Sequence, residues 1–357
     1  MEPVYVRRAE KSRGKNRKKR VVLIIILVVL LLAGAATAAI ILLGKKPAAP
    51  PLPKVTHKSK EPKGPVNPYT GLIFKKSPSL SRPIIISTDN DSYRSRPQAG
   101  ISKADIIYEV PIEGGGSRYE PLYYSNIPKL MGAVRSCRPY ILDIAREYGA
   151  VLIHNGQSPQ AIQYFPSSNV DRISAANHYD VFHYENIGRL PGNLFVAGDA
   201  VKKKFKSLGY DSKKGRCKLK WLKKGEHIQG KKAAKVSINY ADGAYNTYVY
   251  DKTKDLYKKL VKDVPLTDMN NNEEVSCQNI LVQFVSYNLY DRERLNINLC
   301  EGGPAYLFTK GKVIKGTWSR SDKDSNTFWQ SDSGDEFKLT PGKTWINIID
   351  RTVKFQY

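Results

Sequence analysis

A cysteine and a histidine stand near the two ends of one stretch, "VRSCRPYILDIAREYGAVLIHNG", which runs from Val134 to Gly156. Cys137 and His154 are the residue types of a nucleophilic pair, in which an imidazole takes the thiol proton and a third group orients the ring. Spacing cannot establish that contact, and with four cysteines and five histidines in the chain a chance approach is easy. Glu113 offers other chemistry, as a general acid or base with His154 in support. Around them lie Asp89, Asn90, Asn155 and three arginines, Arg118, Arg135 and Arg138. Guanidinium groups hold carboxylate or phosphate in a planar, bidentate way, so these residues predict a polar pocket for an anionic ligand. The competing reading is structural, with buried arginine and carboxylate pairs that close loops.

Other motifs fall short of the chemistry they evoke. "TPGKTW" (340–345) contains G-K-T, but the phosphate loop needs a glycine five residues before Gly342, where Phe337 stands. It reads as a turn into a strand. "EGGGSR" (113–118) has contiguous glycines and no helix after them, which leaves a crossover or a ligand loop open. H-E-x-x-H, C-x-x-C and G-x-S-x-G are absent, and the one S-x-x-K, Ser12 to Lys15, lies in a basic tail. No cofactor and no metal is expected.

The elements that must position these residues follow from periodicity. "RPIIISTDN" (82–90), "ADIIYEVPIEGGG" (104–116) and "GAVLIHNG" (149–156) are short apolar runs that end in polar clusters, as buried strands do. "RPYILDIAREYG" puts Ile141, Leu142, Ile144 and Ala145 on one helical face, and "SPQAIQYF" (158–165) opens a helix with Ser158 as cap and Pro159 at the first position. Strands alternating with helices predict an α/β domain over 67–210, and its ligands belong beyond the carboxyl ends of the strands. From Ala233 to Tyr357 the runs become strand-like, including "KVSINYADG", "NILVQFVSYNLYD" and "KTWINIID", with one short helix around Lys254 to Lys262. This is a β-rich second domain, in which a bridge between Cys277 and Cys300 is left open.

Val21 to Leu43 reads "VVLIIILVVLLLAGAATAAIILL", 23 residues without a charge, enough to cross a bilayer as a helix. "AGAATAA" raises a cleaved signal peptide, but bulky apolar residues return at Ile40 to Leu43 and favour an uncleaved anchor. Nine lysines and arginines in residues 1–20 against six in 44–63 predict a cytoplasmic tail and a body outside the cell membrane. Residues 44–66 combine proline with lysine as an extended tether. The net charge of +25 is concentrated: residues 1–20 supply +7, 44–66 +5 and the lysine-rich 202–232 segment +11, leaving +2 elsewhere. The body is nearly neutral, which argues against a nucleic-acid partner. The 202–232 segment reads as a solvated loop or hairpin, or as a contact for anionic lipid or wall polymer.

"NPYTGL" (67–72), "RPQAGISKADIIYEV" (96–110), "EGGGSRY", "GAVRSCRPYILDIAREYGAVLIHNGQSPQA" (132–161) and "PGKTWINII" (341–349) occur in this order. Together they resemble the YerB-like family of bacterial extracytoplasmic proteins, over almost all of Asn67 to Ile349. The resemblance implies an N-terminal α/β domain, a separate C-terminal domain and an envelope location, and no defined activity. Three departures stand out. The anchor here is helical, where similar proteins are often lipoproteins. "RSCR" puts Cys137 where alanine is usual, so a shared activity does not depend on that thiol. "LPGN" (190–193) has Gly192 where a histidine is common and keeps Asn193, so a site that uses that histidine is altered.

The sequence therefore predicts a single transmembrane helix, an α/β N-terminal domain and a β-rich C-terminal domain. The expected role is binding or scaffolding at the cell envelope, with membrane lipids and an anionic wall polymer as partners. A hydrolase or transferase acting on wall polymer is the alternative.

Overall fold

Three consecutive isoleucines form β1 (Ile84–Ile86), and none of them is exposed. Ile84 and Ile86 point into one core and Ile85 into another, because successive strand residues face opposite sides of a sheet. A strand buried on both faces has to be apolar throughout, and each such side chain stabilises the fold by about 1.5–3 kcal/mol. The same half of the chain supplies β2 (Ile106–Pro111), β3 (Ser117–Tyr123), α1 (Pro139–Tyr148), β4 (Val151–His154), α2 (Pro159–Ser168), β5 (Arg172–Ser174) and α3 (Gly198–Ser207). Ser158 Oγ accepts from the Ala161 N–H with Pro159 following it, so α2 begins as the cap predicted. Gly149 ends α1 in the left-handed region at φ 61°, where glycine has no Cβ to clash.

The second half adds β6 (Lys231–Lys232), β7 (Lys235–Ala241), β8 (Ala244–Asp251), β9 (Leu256–Val261) and β10 (Asn279–Phe284). It continues with β11 (Gly302–Thr309), β12 (Lys312–Ser319), β13 (Phe328–Ser331), β14 (Thr344–Ile349) and β15 (Lys354–Gln356). The computed structural model describes residues 64–357 except 92, 188–191, 242, 243 and 292, and also Ile26, Val28 and Leu30, which are helical. The expected tail, the apolar run 21–43 apart from those three positions, and the tether before Gly64 lie outside the described residues. Among the described residues no helix is long and apolar enough to cross a membrane.

One mixed sheet runs through both halves in the order β6-β12-β11-β10-β14-β2-β3-β1-β4-β5, with β13 beside β12. β14, from near the end of the chain, lies parallel between β10 and β2. The expected boundary between 210 and 233 thus divides the sequence but not the sheet. β7, β8, β9 and β15 belong to a second, antiparallel sheet. Val236, Ile238 and Tyr248 from that sheet share a core with Trp345, Ile107 and Ile84 of the large sheet, while α1 packs into the opposite core through Ile141, Leu142, Ile144 and Ala145.

The short helix expected around Lys254 to Lys262 is instead strand β9. Its burial alternates, with Tyr257, Lys259 and Val261 inward, a period of two rather than 3.6. The 202–232 segment begins within helix α3 rather than as a loop. Cys277 and Cys300 are free thiols. "EGGGSR" is the turn of the β2–β3 hairpin, and "PGKTW" leads into β14, at the centre of the sheet.

Candidate functional site

β1, β2 and β4 run in the same direction, so their polar ends gather at one edge, as the sequence predicted. Beyond β1 the chain places Asp89, whose N–H donates to the Ala133 carbonyl. Arg135 Nη2 lies 2.8 Å from Asp89 Oδ2 and 3.8 Å from Asp91 Oδ2. Arg118 Nη2 lies 3.5 Å from Asp91 Oδ1 and its Nη1 donates to the Ser136 carbonyl at 3.1 Å. Asp89, Asp91, Arg118 and Arg135 thus form one cluster, drawn from three separate stretches. Asp89 and Arg118 are buried, whereas the Arg135 and Asp91 side chains are 24% and 34% exposed. Burial first, and then the neighbouring Asp89 carboxylate that shares a hydrogen bond with it, raise the Asp91 pKa above the ordinary carboxylate value against the pull of Arg118 and Arg135.

Beneath this cluster Ser87 Oγ donates to Glu120 Oε1 at 3.1 Å. Burial pushes the Glu120 carboxyl well above its usual range. Arg118 Nε, Glu120 Oε2 and Tyr140 Oη are buried and make no hydrogen bond among the described residues. Most buried polar atoms in proteins have a partner.

The other sequence candidates divide. Arg138 pairs instead with Glu113, Nε to Oε1 at 3.4 Å, and the Leu295 N–H donates to the same oxygen at 3.1 Å. Burial opposes ionisation of Glu113, but these donors and the Arg138 charge outweigh it and hold the pKa low. Glu113 is therefore a carboxylate and a poor proton donor, and no hydrogen bond joins it to His154. His154 is buried, and its Nδ1–H donates to the Gly156 carbonyl at 2.9 Å. Burial lowers its pKa to about 4, which leaves the ring neutral. The expected support of Glu113 by His154 is thus corrected.

The thiol–imidazole pair is absent too. The chain at Cys137 runs beside 156–158, with the Cys137 N–H on the Gly156 carbonyl, but the thiol itself contacts the Arg138 carbonyl at 3.5 Å. Burial raises the Cys137 pKa while lowering that of His154, the reverse of what a thiolate–imidazolium pair needs. Asn155 contributes its N–H to the Arg135 carbonyl, which sets the loop. Asn90 turns inward, Nδ2 to Ser117 Oγ at 2.7 Å. Ser117 Oγ donates to Glu109 Oε1 at 2.8 Å. Asn193 pairs with Glu185 through backbone and side chain.

Sequence reasoning missed Asp91, two positions past a candidate on a polar loop, and the inward-facing Glu109 and Glu120 of β2 and β3. Their signal was available: strands IIYEVP and SRYEPLY are buried along their whole length, so a carboxylate within them needs a partner.

Two family models match the chain, the DUF3048 N-terminal domain over residues 69–211 and the DUF3048 C-terminal domain over 236–346, both described as of unknown function. The chain belongs to the DUF3048 family. The protein named "Putative lipoprotein YerB" from Bacillus subtilis (strain 168) is 28% identical over 288 residues, 79% of this chain and 85% of that protein. The crystal structure of YerB matches with a TM-score of 0.72 at 28% identity, covering 82% of this chain and all of that one.

Two residues that stood out in the sequence now have a place. Cys137 is a small, wholly buried core residue. Gly192, at the position where the resemblance implies histidine, lies against the cluster: a Cβ built there stands 2.9 Å from Asp89 Oδ2, and φ is +109°. In this chain a side chain at position 192 would press on the Asp89 carboxylate.

Proposed function

We propose that this chain is a membrane-tethered binding protein of the cell envelope, with the Asp89–Asp91–Arg118–Arg135 cluster as its recognition site for a hydroxyl-rich wall polymer. The tether reading rests on the uncharged run 21–43, its basic flanks and the Pro/Lys-rich segment after it, and on the word lipoprotein in the relative's name. The single observation that carries the site is the placement of Arg135 between two carboxylates, with Arg135 and Asp91 partly exposed. Each guanidinium is already matched by an acid, so the cluster is not a trap for a free anion. It offers donors beside acceptors, and a sugar hydroxyl is both. The buried unpartnered Arg118 Nε, Glu120 Oε2 and Tyr140 Oη supply further groups behind it.

One observation favours a second reading, a hydrolase or transferase acting on the same polymer. Asp91 is reachable by solvent and keeps its proton above the usual carboxylate range, which suits a general acid. Asp91 takes that role in place of Glu113.

The full-length protein incubated with defined wall-glycan fragments separates the two. Retention without new masses in the mass spectrum is expected for a binding protein. New masses that vanish in Asp91→Asn would establish the enzyme, and absence of both retention and products would overturn both readings.

A further inference from the structure

At the opposite edge of the large sheet a cavity of about 730 Å3 opens where β2, β10 and β14 begin. Asp105, Gln278 and Lys343, the residues immediately before these strands, all line it. So do parts of three stretches that carried the family resemblance but no chemistry at the first site: "NPYTGL", "SKAD" and "PGK". The size is that of a small-molecule site.

The floor is held by satisfied hydrogen bonds. Asn67 Nδ2 donates to Asp105 Oδ1 at 3.0 Å, and Asp105 Oδ2 accepts from the Tyr124 and Ser125 N–H groups at 2.7 and 2.8 Å. The Gly342 N–H donates to the Thr70 carbonyl at 2.7 Å, and the Lys343 N–H donates to Gln278 Oε1 at 2.8 Å. Gly342, at φ +145°, has no room for a side chain, since a Cβ would stand 2.3 Å from Gln278. These bonds within the chain hold the shape of the site.

Its walls are not satisfied in the same way. Ser102 lines the cavity, the residue is only 7% exposed, and its hydroxyl is buried at the wall with no hydrogen-bond partner among the described residues. Lys343 Nζ spends one N–H on the Ser102 carbonyl at 2.5 Å and has two left. Lys103 is committed to Glu273, but Lys75, Lys76 and Lys343 have no ion-pair partner among the described residues, and Lys75 and Lys76 are exposed. Burial raises the pKa of Asp105, the one carboxyl in the wall, against the hydrogen bonds it accepts, and lowers that of Lys343, so a phosphate placed beside Lys343 would favour its charged form. Beside the lysines lie Leu72, Ile73 and Phe74, with Leu72 openly exposed.

We propose that this cavity is a second binding site, separate from the Asp89 cluster, for a phosphate ester that carries an apolar chain. The phosphate sits between Lys343 Nζ and Ser102 Oγ with Lys75 and Lys76 at the mouth, where lysines act as point charges for phosphate. The apolar chain lies along Leu72, Ile73 and Phe74. Both a lipid headgroup and a soluble phosphate ester present this chemistry.

Calorimetric titration of the full-length chain, held in non-ionic detergent, tests the site with hexyl phosphate, inorganic phosphate and dihexanoyl phosphatidate. Saturable binding of an alkyl phosphate, at least tenfold tighter than inorganic phosphate, is expected. Tighter binding of the phosphatidate assigns a lipid source and tighter binding of hexyl phosphate a soluble one, and both support the site. Lys343→Met should weaken binding at least tenfold, and Ser102→Ala severalfold. The surface pair Lys75→Gln with Lys76→Gln, which cannot disturb the core, should also weaken it severalfold, while Arg135→Gln at the other edge leaves it unchanged. No binding of either alkyl phosphate, equal affinity for inorganic phosphate, or binding indifferent to all the lysine variants would overturn the proposal.

Discussion

The Glu109 carboxylate and the Lys259 ammonium lie 2.8 Å apart with neither side chain exposed, and they come from the two halves of the chain. Glu109 Oε2 also accepts from Trp345 Nε1 at 3.1 Å, and its Oε1 from Asn246 Nδ2 at 2.8 Å. Lys259 Nζ donates in addition to Tyr248 Oη at 2.9 Å and lies 4.2 Å from the centre of that ring. The pair ties the second sheet to the large one, and through Ser117 and Asn90 it reaches the loop that carries Asp89.

Removing one member leaves the other as an unpaired buried charge, which costs about 3–5 kcal/mol. Lys259→Met should therefore lower the denaturation midpoint sharply, and Glu109→Gln combined with Lys259→Met should recover much of the loss. Urea unfolding of the parent chain and these two variants checks this. If the double variant is as unstable as Lys259→Met, the pair is not the coupling that joins the sheets.

His154 sets an acid limit. Its folded pKa of about 4 lies below the ordinary imidazole value of about 6.5, so the unfolded chain binds the proton first as pH falls. The neutral ring is no liability above about pH 6.5, and stability is lost between there and pH 4, by up to about 3 kcal/mol. His154→Gln should show a shallower loss across this window. Unfolding curves at pH 7 and 4.5 for both proteins read the difference, and equal losses would remove His154 from the account.

The thiols should separate by burial. Cys137 and Cys277 are wholly buried, and burial raises the Cys277 pKa to about 12, so neither supplies thiolate at neutral pH. A thiol reagent on the folded protein is expected to label Cys300 fastest and to spare Cys137 and Cys277 until urea is added. Fast labelling of Cys137 would revive the dyad that the geometry rejects.

Gly192 should tolerate nothing larger. At φ +109°, with a Cβ 2.9 Å from Asp89 Oδ2, Gly192→Ala combines backbone strain with contact on a buried carboxylate. It is expected to cost about 1–3 kcal/mol and to weaken ligand retention at the cluster. Thermal unfolding with the glycan retention assay measures both, and a variant neutral in both would show that position 192 does not shape the site.

The strands were legible because their apolar runs are long relative to a strand and end in polar residues, as at "RPIIISTDN" and "KTWINIID". The convergence of Asp89, Arg118 and Arg135 followed from the rule for strand ends. What sequence could not reveal was pairing at long range. Nothing local places Thr344–Ile349 beside Ile106–Pro111, some 240 positions away, so the shared sheet and the cavity at its amino edge were invisible. The short helix expected around Lys254 to Lys262 failed for a related reason: a lysine at 259 does not mark an inward strand position until Glu109 is known to meet it. The same blindness made the arginines look free to bind an anion, when Asp89 and Asp91 already hold two of them and Glu113 the third.

The central claim is that Arg135 and Asp91 recognise a hydroxyl-rich polymer. A hydrogen bond to a charged group contributes about 1.5–3 kcal/mol, which is roughly a ten- to hundredfold change in affinity. Equilibrium binding of purified wall glycan to the full-length protein, compared with Asp91→Asn and Arg135→Gln, tests it most directly. The account predicts a loss of at least about tenfold in each variant with the fold intact. Unchanged affinity in both, or no affinity in the parent chain, would contradict it.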